Sequence, residues 1–215
     1  MGTREQIESG EFFKDQLFED LDLQGLDFSG KDFFRCTFRR SKLQKTRWQR
    51  ARLEECVLTD CDLTQAQPAD LGAHGVRFTG CKLMGVEWTG SSLNPNLEFQ
   101  DCDLRYASFV GVNLRRVPFL RCKLVEANFI DADLTESDFS GSELSGTNFR
   151  NATLAKADLS TAQGAFLDPA RNRLRGVRVS LETAALLAAS FGMRVAGFDD
   201  DEPGAAASGR RRRSR

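Results

Sequence analysis

The chain has 215 residues, with 30 Lys and Arg against 31 Asp and Glu, and a formal net charge of −1. This balance gives no overall attraction to nucleic acid or to a membrane, and the single histidine is a small supply of acid–base groups near neutral pH. No run of about 20 apolar residues is present to span a membrane, and the first residues, MGTREQIESGEFF, lack the apolar centre of a signal peptide. We therefore expect a cytoplasmic protein that does not enter a membrane.

From Phe18 to Leu159 a bulky apolar residue recurs at every fifth position, and a small residue usually precedes it by two positions. A period of five fits neither an α-helix nor a flat strand. The sequence therefore predicts a regular solenoid over residues 18–159. Because the open ends of a solenoid need covers, residues 1–17 are predicted to form the N-terminal cap.

This pattern, roughly A(D/N)LXX, resembles that of the pentapeptide-repeat family. The resemblance implies an all-β fold, a right-handed quadrilateral β-helix in which four repeats form one square coil and residues 20 apart stack. The core positions sort accordingly into two aromatic columns on opposite faces and two columns filled mostly by Leu, which would fill a narrow core without voids. The columns are Phe18, Phe38, Leu58, Phe78, Phe99, Phe119, Phe139, Leu159; Leu23, Leu43, Leu63, Leu83, Leu104, Leu124, Leu144; Phe28, Trp48, Pro68, Trp88, Phe109, Phe129, Phe149; and Phe33, Leu53, Ala73, Leu93, Leu114, Leu134, Leu154.

The pattern lapses once within the predicted solenoid. Pro68 and Ala73 occupy core positions, but the repeat resumes in the same phase at Phe78. Residues 64–77 are therefore predicted to form a degenerate coil rather than a projecting loop. One extra residue enters at Asn94-Pro95-Asn96, after which the count restarts at Phe99.

All six cysteines lie two residues before a bulky position, in the slot that Ala, Ser, Thr and Val fill elsewhere. A zinc site or disulfides are the alternatives, but the spacing fits no CxxC knuckle, and cytoplasmic thiols stay reduced. We therefore interpret the thiols as small core side chains. They are Cys36, Cys56, Cys61, Cys81, Cys102 and Cys122.

The sequence offers little for catalysis. His74 lies in the degenerate coil, and none of the motifs GxSxG, GxGxxG, HExxH or the P-loop occurs. No catalytic residue, cofactor-binding residue or metal ligand is predicted, so we expect a protein that is not an enzyme and that needs no cofactor.

Two charged belts mark the predicted rod. The first, between Phe33 and Leu53, has eight bases and no acid: Arg35, Arg39, Arg40, Lys42, Lys45, Arg47, Arg50 and Arg52. The second, between Leu124 and Phe149, has six acids and no base: Glu126, Asp131, Asp133, Glu136, Asp138 and Glu143. Each belt is either a solvated face or a docking surface. An acidic rod about as wide as a duplex could enter a site that binds DNA phosphates, whereas the basic belt argues against uniform mimicry of DNA.

After residue 159 the repeat decays, and residues 160–198 are predicted to form a C-terminal cap with a dimerisation helix. Ser180 is a helix N-cap, LETAALLAASF is the helix, and Gly192 ends it. The helix is apolar on nearly every face, which favours a symmetric homodimer over a monomer cap, and the following MRVAGF alternates like a short strand. The tail, residues 199–215, is predicted to be disordered, and direct binding of nucleic acid is not expected. The predicted dimer interface comprises Leu181, Leu186, Leu187, Phe191, Met193 and Val195.

Three segments resemble the topoisomerase-protecting branch of the family, which includes the Qnr, MfpA, McbG and AlbG types. They are FLDPARNRLRGV, VSLETAALLAASFGMRV and, at residues 78–89, FTGCKLMGVEWT. The resemblance implies a non-catalytic cytoplasmic homodimer that binds DNA gyrase or topoisomerase IV and protects it from a poisoning antibiotic. The chain lacks the long loops of the Qnr type, which favours the self-resistance type of an antibiotic producer. The alternative is a scaffold or interaction protein without a topoisomerase partner.

Overall fold

The computed structural model describes residues 2–88 and 96–196 of the chain. These residues form a right-handed quadrilateral β-helix of about eight turns, with one short helix at each end. All paired strands are parallel and belong to successive turns. Within the described residues, no helix is long and apolar enough to span a membrane.

The strands are short because each side of the square holds only five residues. Between the strands, isolated parallel bridges continue the same stacking on the remaining sides of each turn. In chain order the elements are α1 (Arg4–Ser9), β1 (Phe12–Lys14), β2 (Leu17–Glu19), β3 (Asp32–Phe34), β4 (Thr37–Arg39), β5 (Arg52–Glu54), β6 (Val57–Thr59), β7 (Gly72–Thr79), β8 (Asn96–Gln100), β9 (Phe119–Leu120), β10 (Asp158–Leu159), β11 (Arg178–Val179) and α2 (Leu181–Ser190).

The pairing register confirms that residues 20 apart stack. Phe18 pairs with Phe38, and Phe38 pairs with Leu58. Across the inserted residue the step becomes 21, since Phe78 pairs with Phe99. Leu93, which the sequence assigns to a core column, lies outside the described residues.

The two aromatic columns face each other across the core. Within a column the rings are parallel, as for Phe109 and Phe129 with centroids 4.9 Å apart. Between columns the rings meet edge to face, as for Phe109 and Phe119 at 5.7 Å. Both arrangements are favourable for aromatic rings, and the column pattern read from the sequence corresponds to two sets of stacked rings, one from Phe13 to Trp48 and one from Phe78 to Phe149.

Residues 64–77 form a stacked coil, as the sequence predicts. Strand β7 pairs in register with β5 and β6, so the coil stays in phase despite Pro68. Both aromatic stacks are interrupted here, by Leu58 and by Pro68. The smaller side chains leave an apolar cavity of about 20 Å³ between Trp48 and Trp88. The packing of the core is therefore incomplete at this coil.

At the N-terminal end, stacking begins before Phe18. Phe13 pairs with Phe33 and occupies a core position five residues before Phe18. The cover itself is the segment around α1, in which Thr3 caps the helix and the helix residue Ile7 is completely buried. Residues 1–17 thus hold both a capping helix and the first side of a coil.

At the C-terminal end, coil stacking continues to Val179, where β11 pairs with β10. Helix α2 then begins after Ser180, whose hydroxyl accepts a hydrogen bond from the Thr183 N–H at 3.1 Å, as predicted. The prediction of a short strand at Met193 and Val195 is wrong, because residues 193–196 form no strand. The last two residues of MRVAGF lie outside the described residues. A strand needs a hydrogen-bonding partner, and the described chain offers none at this point.

The corners of the square use left-handed backbone. Thirty described residues have φ between 46° and 74°, and nineteen of them are not glycine. Nearly all lie two residues after a core position, and their N–H groups donate to the next coil, as Glu126 does to the Ser145 carbonyl at 3.0 Å. The left-handed conformation costs an L-residue roughly 1 kcal/mol. These inter-coil hydrogen bonds offset that cost.

Candidate partner-binding surfaces

The cysteines belong to the core and form no surface site. All six are free and buried. The Cys122 thiol lies 3.5 Å from the Phe99 carbonyl 23 residues earlier, and the Ser142 hydroxyl makes the equivalent bond to the Phe119 carbonyl at 2.6 Å. The adjacent Cys102 thiol and burial raise the pKa of the Cys122 thiol, which favours its protonated form. Among the described residues no group of three or more His, Cys, Asp or Glu side chains is placed to hold a metal ion.

The basic belt is largely neutralised by the preceding coil. Arg40, for example, lies 2.8 Å from the Asp20 carboxylate, and Arg47 lies 2.9 Å from that of Asp27. Only Lys45 and Arg50 of the belt have no ion pair within the described part of the chain. The paired members are Arg35 with Asp15, Arg39 with Glu19, Arg40 with Asp20 and Glu19, Lys42 with Asp22, Arg47 with Asp27, and Arg52 with Asp32.

The six acidic residues are spread over all four sides of the rod, because residues 126–143 cover almost a full coil. Glu126 and Glu143 lie on the side whose core residues are Leu124 and Leu144. Asp131 lies at the corner next to Phe129. The side of Leu134 carries Asp133 and Glu136, and the side of Phe139 carries Asp138. No single flat surface can contact all six.

Three of the six acids have several side-chain contacts each within the rod. Asp133 accepts hydrogen bonds from the Thr135 N–H and hydroxyl and pairs with Arg115 at 3.2 Å. Partial burial opposes ionisation of Asp133, but these contacts outweigh it and lower its pKa. Glu136 pairs with Arg116 in the preceding coil and with Lys156 in the next, and both lower its pKa. Asp138 similarly accepts from the Ser140 N–H and hydroxyl.

Glu126 and Glu143 are the acids with most freedom to meet a partner. Both are exposed, and neither has an ion pair within the described residues. They share their side of the rod with Tyr106, whose ring is 55% exposed. Asp131 is also exposed, and it accepts only a hydrogen bond from the Asn151 amide at 3.1 Å.

Helix α2 leaves most of its apolar side chains uncovered. Only Thr183 and Ala185 of the helix are buried. Of the predicted interface residues, Leu181 is 75% exposed, Leu186 43%, Phe191 61% and Met193 55%. Leu187 and Val195 are half-buried. Exposed apolar area of this kind is typical of a contact surface rather than of a free helix face.

The same end of the rod exposes Phe166, at 59%, which was not among the predicted interface residues. Phe166 lies seven residues beyond Leu159, where the five-residue count has already decayed. The five-residue period therefore could not show whether the Phe166 side chain points into the core or out to solvent.

His74 lies on strand β7, exposed and pointing away from the core.

Comparison with known proteins identifies the repeat. The sequence profile of the pentapeptide repeat region matches residues 31–109 and 51–129, and the profile of eight pentapeptide repeats matches residues 122–160. No curated protein gives a significant match.

Several solved structures share the fold. Two trypsin-treated variants of QnrB1, a plasmid-mediated fluoroquinolone resistance protein, match with a TM-score of 0.67 and 21% and 22% identity. Each match covers 86% of this chain, and 99% and 100% respectively of the two trypsin-treated chains. HetL, a pentapeptide repeat protein involved in heterocyst differentiation regulation from the cyanobacterium Nostoc sp. strain PCC 7120, matches with a TM-score of 0.51 and 21% identity over 83% of this chain and 88% of HetL. The chain belongs to the pentapeptide-repeat family.

Proposed function

We propose that this protein binds a type II topoisomerase, DNA gyrase or topoisomerase IV, and protects it from a poisoning antibiotic without catalysing a reaction itself. The observation that carries the proposal is the likeness to QnrB1, which extends over 99% of the chain in a trypsin-treated QnrB1 structure. QnrB1 is a fluoroquinolone resistance protein. Since topoisomerases act on chromosomal DNA, the protein would work in the cytoplasm.

The proposed docking surface is the acidic belt, with Glu126 and Glu143 as its leading contacts. Both side chains are exposed and free of ion pairs within the described residues, so binding would not first have to break an internal pair. A basic surface that normally holds DNA phosphates would attract them over several ångströms. Asp131 and Asp138 would extend the contact along neighbouring sides, whereas Asp133 and Glu136 also serve the stacking of coils.

The proposed assembly is a homodimer through helix α2. The exposed side chains of Leu181, Leu186, Phe191 and Met193 would be buried against the same residues of a second copy. Such a dimer would be a long rod with an acidic belt on each side of its centre. It would present Glu126 and Glu143 twice, in a two-fold symmetric arrangement.

Oligomeric state is tested by light scattering on purified protein. We expect a mass of twice 24.0 kDa for the natural chain. The double variant Leu186→Asp, Phe191→Ser should be a folded monomer, because a carboxylate cannot be buried at an apolar contact without a large penalty. Phe12→Ser, which alters an exposed ring at the other end of the rod, should leave the dimer intact. A natural chain of 24.0 kDa in solution would contradict the assembly.

The docking surface is tested by the affinity of the immobilised full chain for purified gyrase and topoisomerase IV. The variant Glu126→Lys, Glu143→Gln should bind at least tenfold more weakly, which corresponds to about 1.4 kcal/mol. Its matched control is Glu55→Lys, Glu87→Gln, which makes the same change of charge in the other half of the rod. Glu55 lies at a corner, as Glu126 does, and Glu87 is exposed directly before a core residue, as Glu143 is. Equal loss in both variants, or no loss in either, would rule out these contacts.

A second candidate is an interaction protein with a partner other than a topoisomerase. It is favoured by the likeness to HetL, a pentapeptide repeat protein involved in heterocyst differentiation regulation. The same binding assay separates the two candidates. Absence of binding to both enzymes, together with capture of a different protein that the Glu126→Lys, Glu143→Gln variant fails to capture, would favour this second candidate.

A further inference from the structure

The near-zero net charge conceals a strong charge asymmetry along the amino-acid sequence. Residues 1–149 hold 18 Lys and Arg against 24 Asp and Glu, whereas residues 150–215 hold 12 against 7. The net charge is therefore −6 before residue 150 and +5 from there on. A charge asymmetry of this size between the ends of a chain indicates a polyanionic partner for the basic end.

Arg173 and Arg175 are central to this basic end. They flank Leu174, which packs against the core, so both guanidinium groups project outward from one side of the last full coil. Their Cα atoms are about 6.6 Å apart if the backbone is extended, at about 3.3 Å per residue. Both side chains are exposed, and neither forms an ion pair within the described residues.

These two arginines differ from most other basic residues of the rod because they form no ion pair with an acidic residue of a neighbouring described coil. The residues 20 positions earlier are Thr153 and Ala155, which carry no charge. The chain leaves the solenoid after Val179, so no later coil supplies an acid. By contrast, Arg178 pairs with Asp158 and Lys156 pairs with Glu136.

We propose that this end of the rod, with Arg173 and Arg175 at its centre, binds the phosphate backbone of duplex DNA. Duplex DNA carries one charge per about 3.4 Å along each strand, so two arginines at this spacing can each reach a phosphate of one strand. The contact has no means of reading bases, since an exposed flat side of a β-helix enters neither groove. Binding is therefore independent of sequence.

DNA contact would also serve the proposed function, although it does not depend on it. In a dimer joined through α2, the basic ends of two copies lie next to each other at the centre of the rod, and the acidic belts lie farther out. A rod arranged in this way can approach an enzyme that is holding DNA, with acidic sides toward the protein and a basic centre toward the nucleic acid.

The test is fluorescence anisotropy of a labelled 20-base-pair duplex titrated with the full chain at several salt concentrations, without any topoisomerase. We expect a dissociation constant of about 10⁻⁵ to 10⁻⁶ M near physiological salt, typical of sequence-independent binding. Arg173→Ser, Arg175→Ser should weaken binding and reduce the slope of log K against log salt by about 1.8, at about 0.9 per phosphate contact. The matched control is Lys45→Ser, Arg50→Ser, which removes two unpaired exposed charges from different sides of the N-terminal belt.

The outcomes are distinct. No binding of duplex at low salt, or equal weakening by the Arg173→Ser, Arg175→Ser variant and by the control, would overturn the proposal. Loss of topoisomerase binding in that variant, without any binding of free duplex by the natural chain, would also overturn it and would assign the basic end to a protein contact. Since the assay contains no enzyme, its result is independent of whether the protein protects a topoisomerase.

Discussion

Every five-residue repeat places similar demands on its side chains. The central residue fills the core, the residue two before it is small enough to fit beneath the neighbouring coil, and the residue two after it takes a left-handed corner. The residues that meet the first two demands are apolar or small and recur at every fifth position. The core columns and the packing role of Cys102 and Cys122 could therefore be predicted from the sequence. The third was not predicted, because charged residues such as Arg40 and Glu126 occupy the corners as readily as glycine does.

The aromatic core is tested at Phe119. Its ring is completely buried, lies 5.1 Å from both Phe99 and Phe139, and meets Phe109 edge to face. Phe119→Ala should lower the free energy of unfolding by about 3–5 kcal/mol, as measured by urea denaturation. Phe12→Ala, at a ring that is 64% exposed, should change it by less than about 0.5 kcal/mol. Comparable effects at the two sites would contradict the assignment of the core.

The inter-coil ion pairs predict how stability depends on pH. Hydrogen bonds from Ser29, and then the contact with Arg47, lower the pKa of Asp27 to about 2. Because this folded-state pKa lies below the ordinary value of 3.8, Asp27 stabilises the fold above about pH 4, and the contribution is lost as the pH falls toward 2. Asp27→Asn should therefore lower the urea midpoint at pH 7 and change it little at pH 2. An equal reduction at both pH values would contradict this origin.

The degenerate coil shows what an element loses when its repeat is imperfect. In the preceding coil, the backbone N–H of Trp48 donates a hydrogen bond to the Gln67 carbonyl at 2.9 Å. Pro68 occupies the equivalent position one coil later and has no backbone N–H to donate. It also lacks an aromatic ring, so the column between Trp48 and Trp88 is broken next to the cavity. That the coil stays in phase could be predicted from the return of the repeat at Phe78. The cavity could not, since it depends on how far the neighbouring coils close over smaller side chains.

Restoring the repeat at this coil should stabilise the rod. Pro68→Phe returns both the N–H and the aromatic ring, and we expect the free energy of unfolding to rise by about 1 kcal/mol. Pro68→Ala returns only the N–H and should give a smaller gain, because the cavity remains. Thermal and urea denaturation of the two variants compare these effects directly. A less stable Pro68→Phe variant would mean that the coil has no room for the ring.

At the scale of the whole molecule, residues of opposite charge stack on each other in successive coils at several positions. In one column the sign alternates throughout, with Asp22, Lys42, Asp62, Lys82, Asp103, Lys123 and Glu143 bridged in succession. The two belts found in the sequence contribute to this stacking, and many of their charges hold neighbouring coils in register. These ion pairs could not be predicted from the belts alone. They join residues 20 positions apart, and such pairs are recognised only when the charged residues, like the core residues, are compared at intervals of one coil. Exposed charges that form no ion pair within the described residues include Glu126 and Glu143 on the acidic belt, and Arg173 and Arg175 near the C-terminal end.

The central claim, protection of a topoisomerase, is tested most directly by supercoiling with purified gyrase and a panel of poisons comprising a quinolone, an albicidin-like and a microcin-like compound. Titration of the natural chain should restore supercoiling in the presence of at least one poison class, and the Glu126→Lys, Glu143→Gln variant should require at least tenfold more protein. The Glu55→Lys, Glu87→Gln control should act like the natural chain. Absence of rescue with every poison at micromolar protein, for gyrase and for topoisomerase IV, would contradict the account.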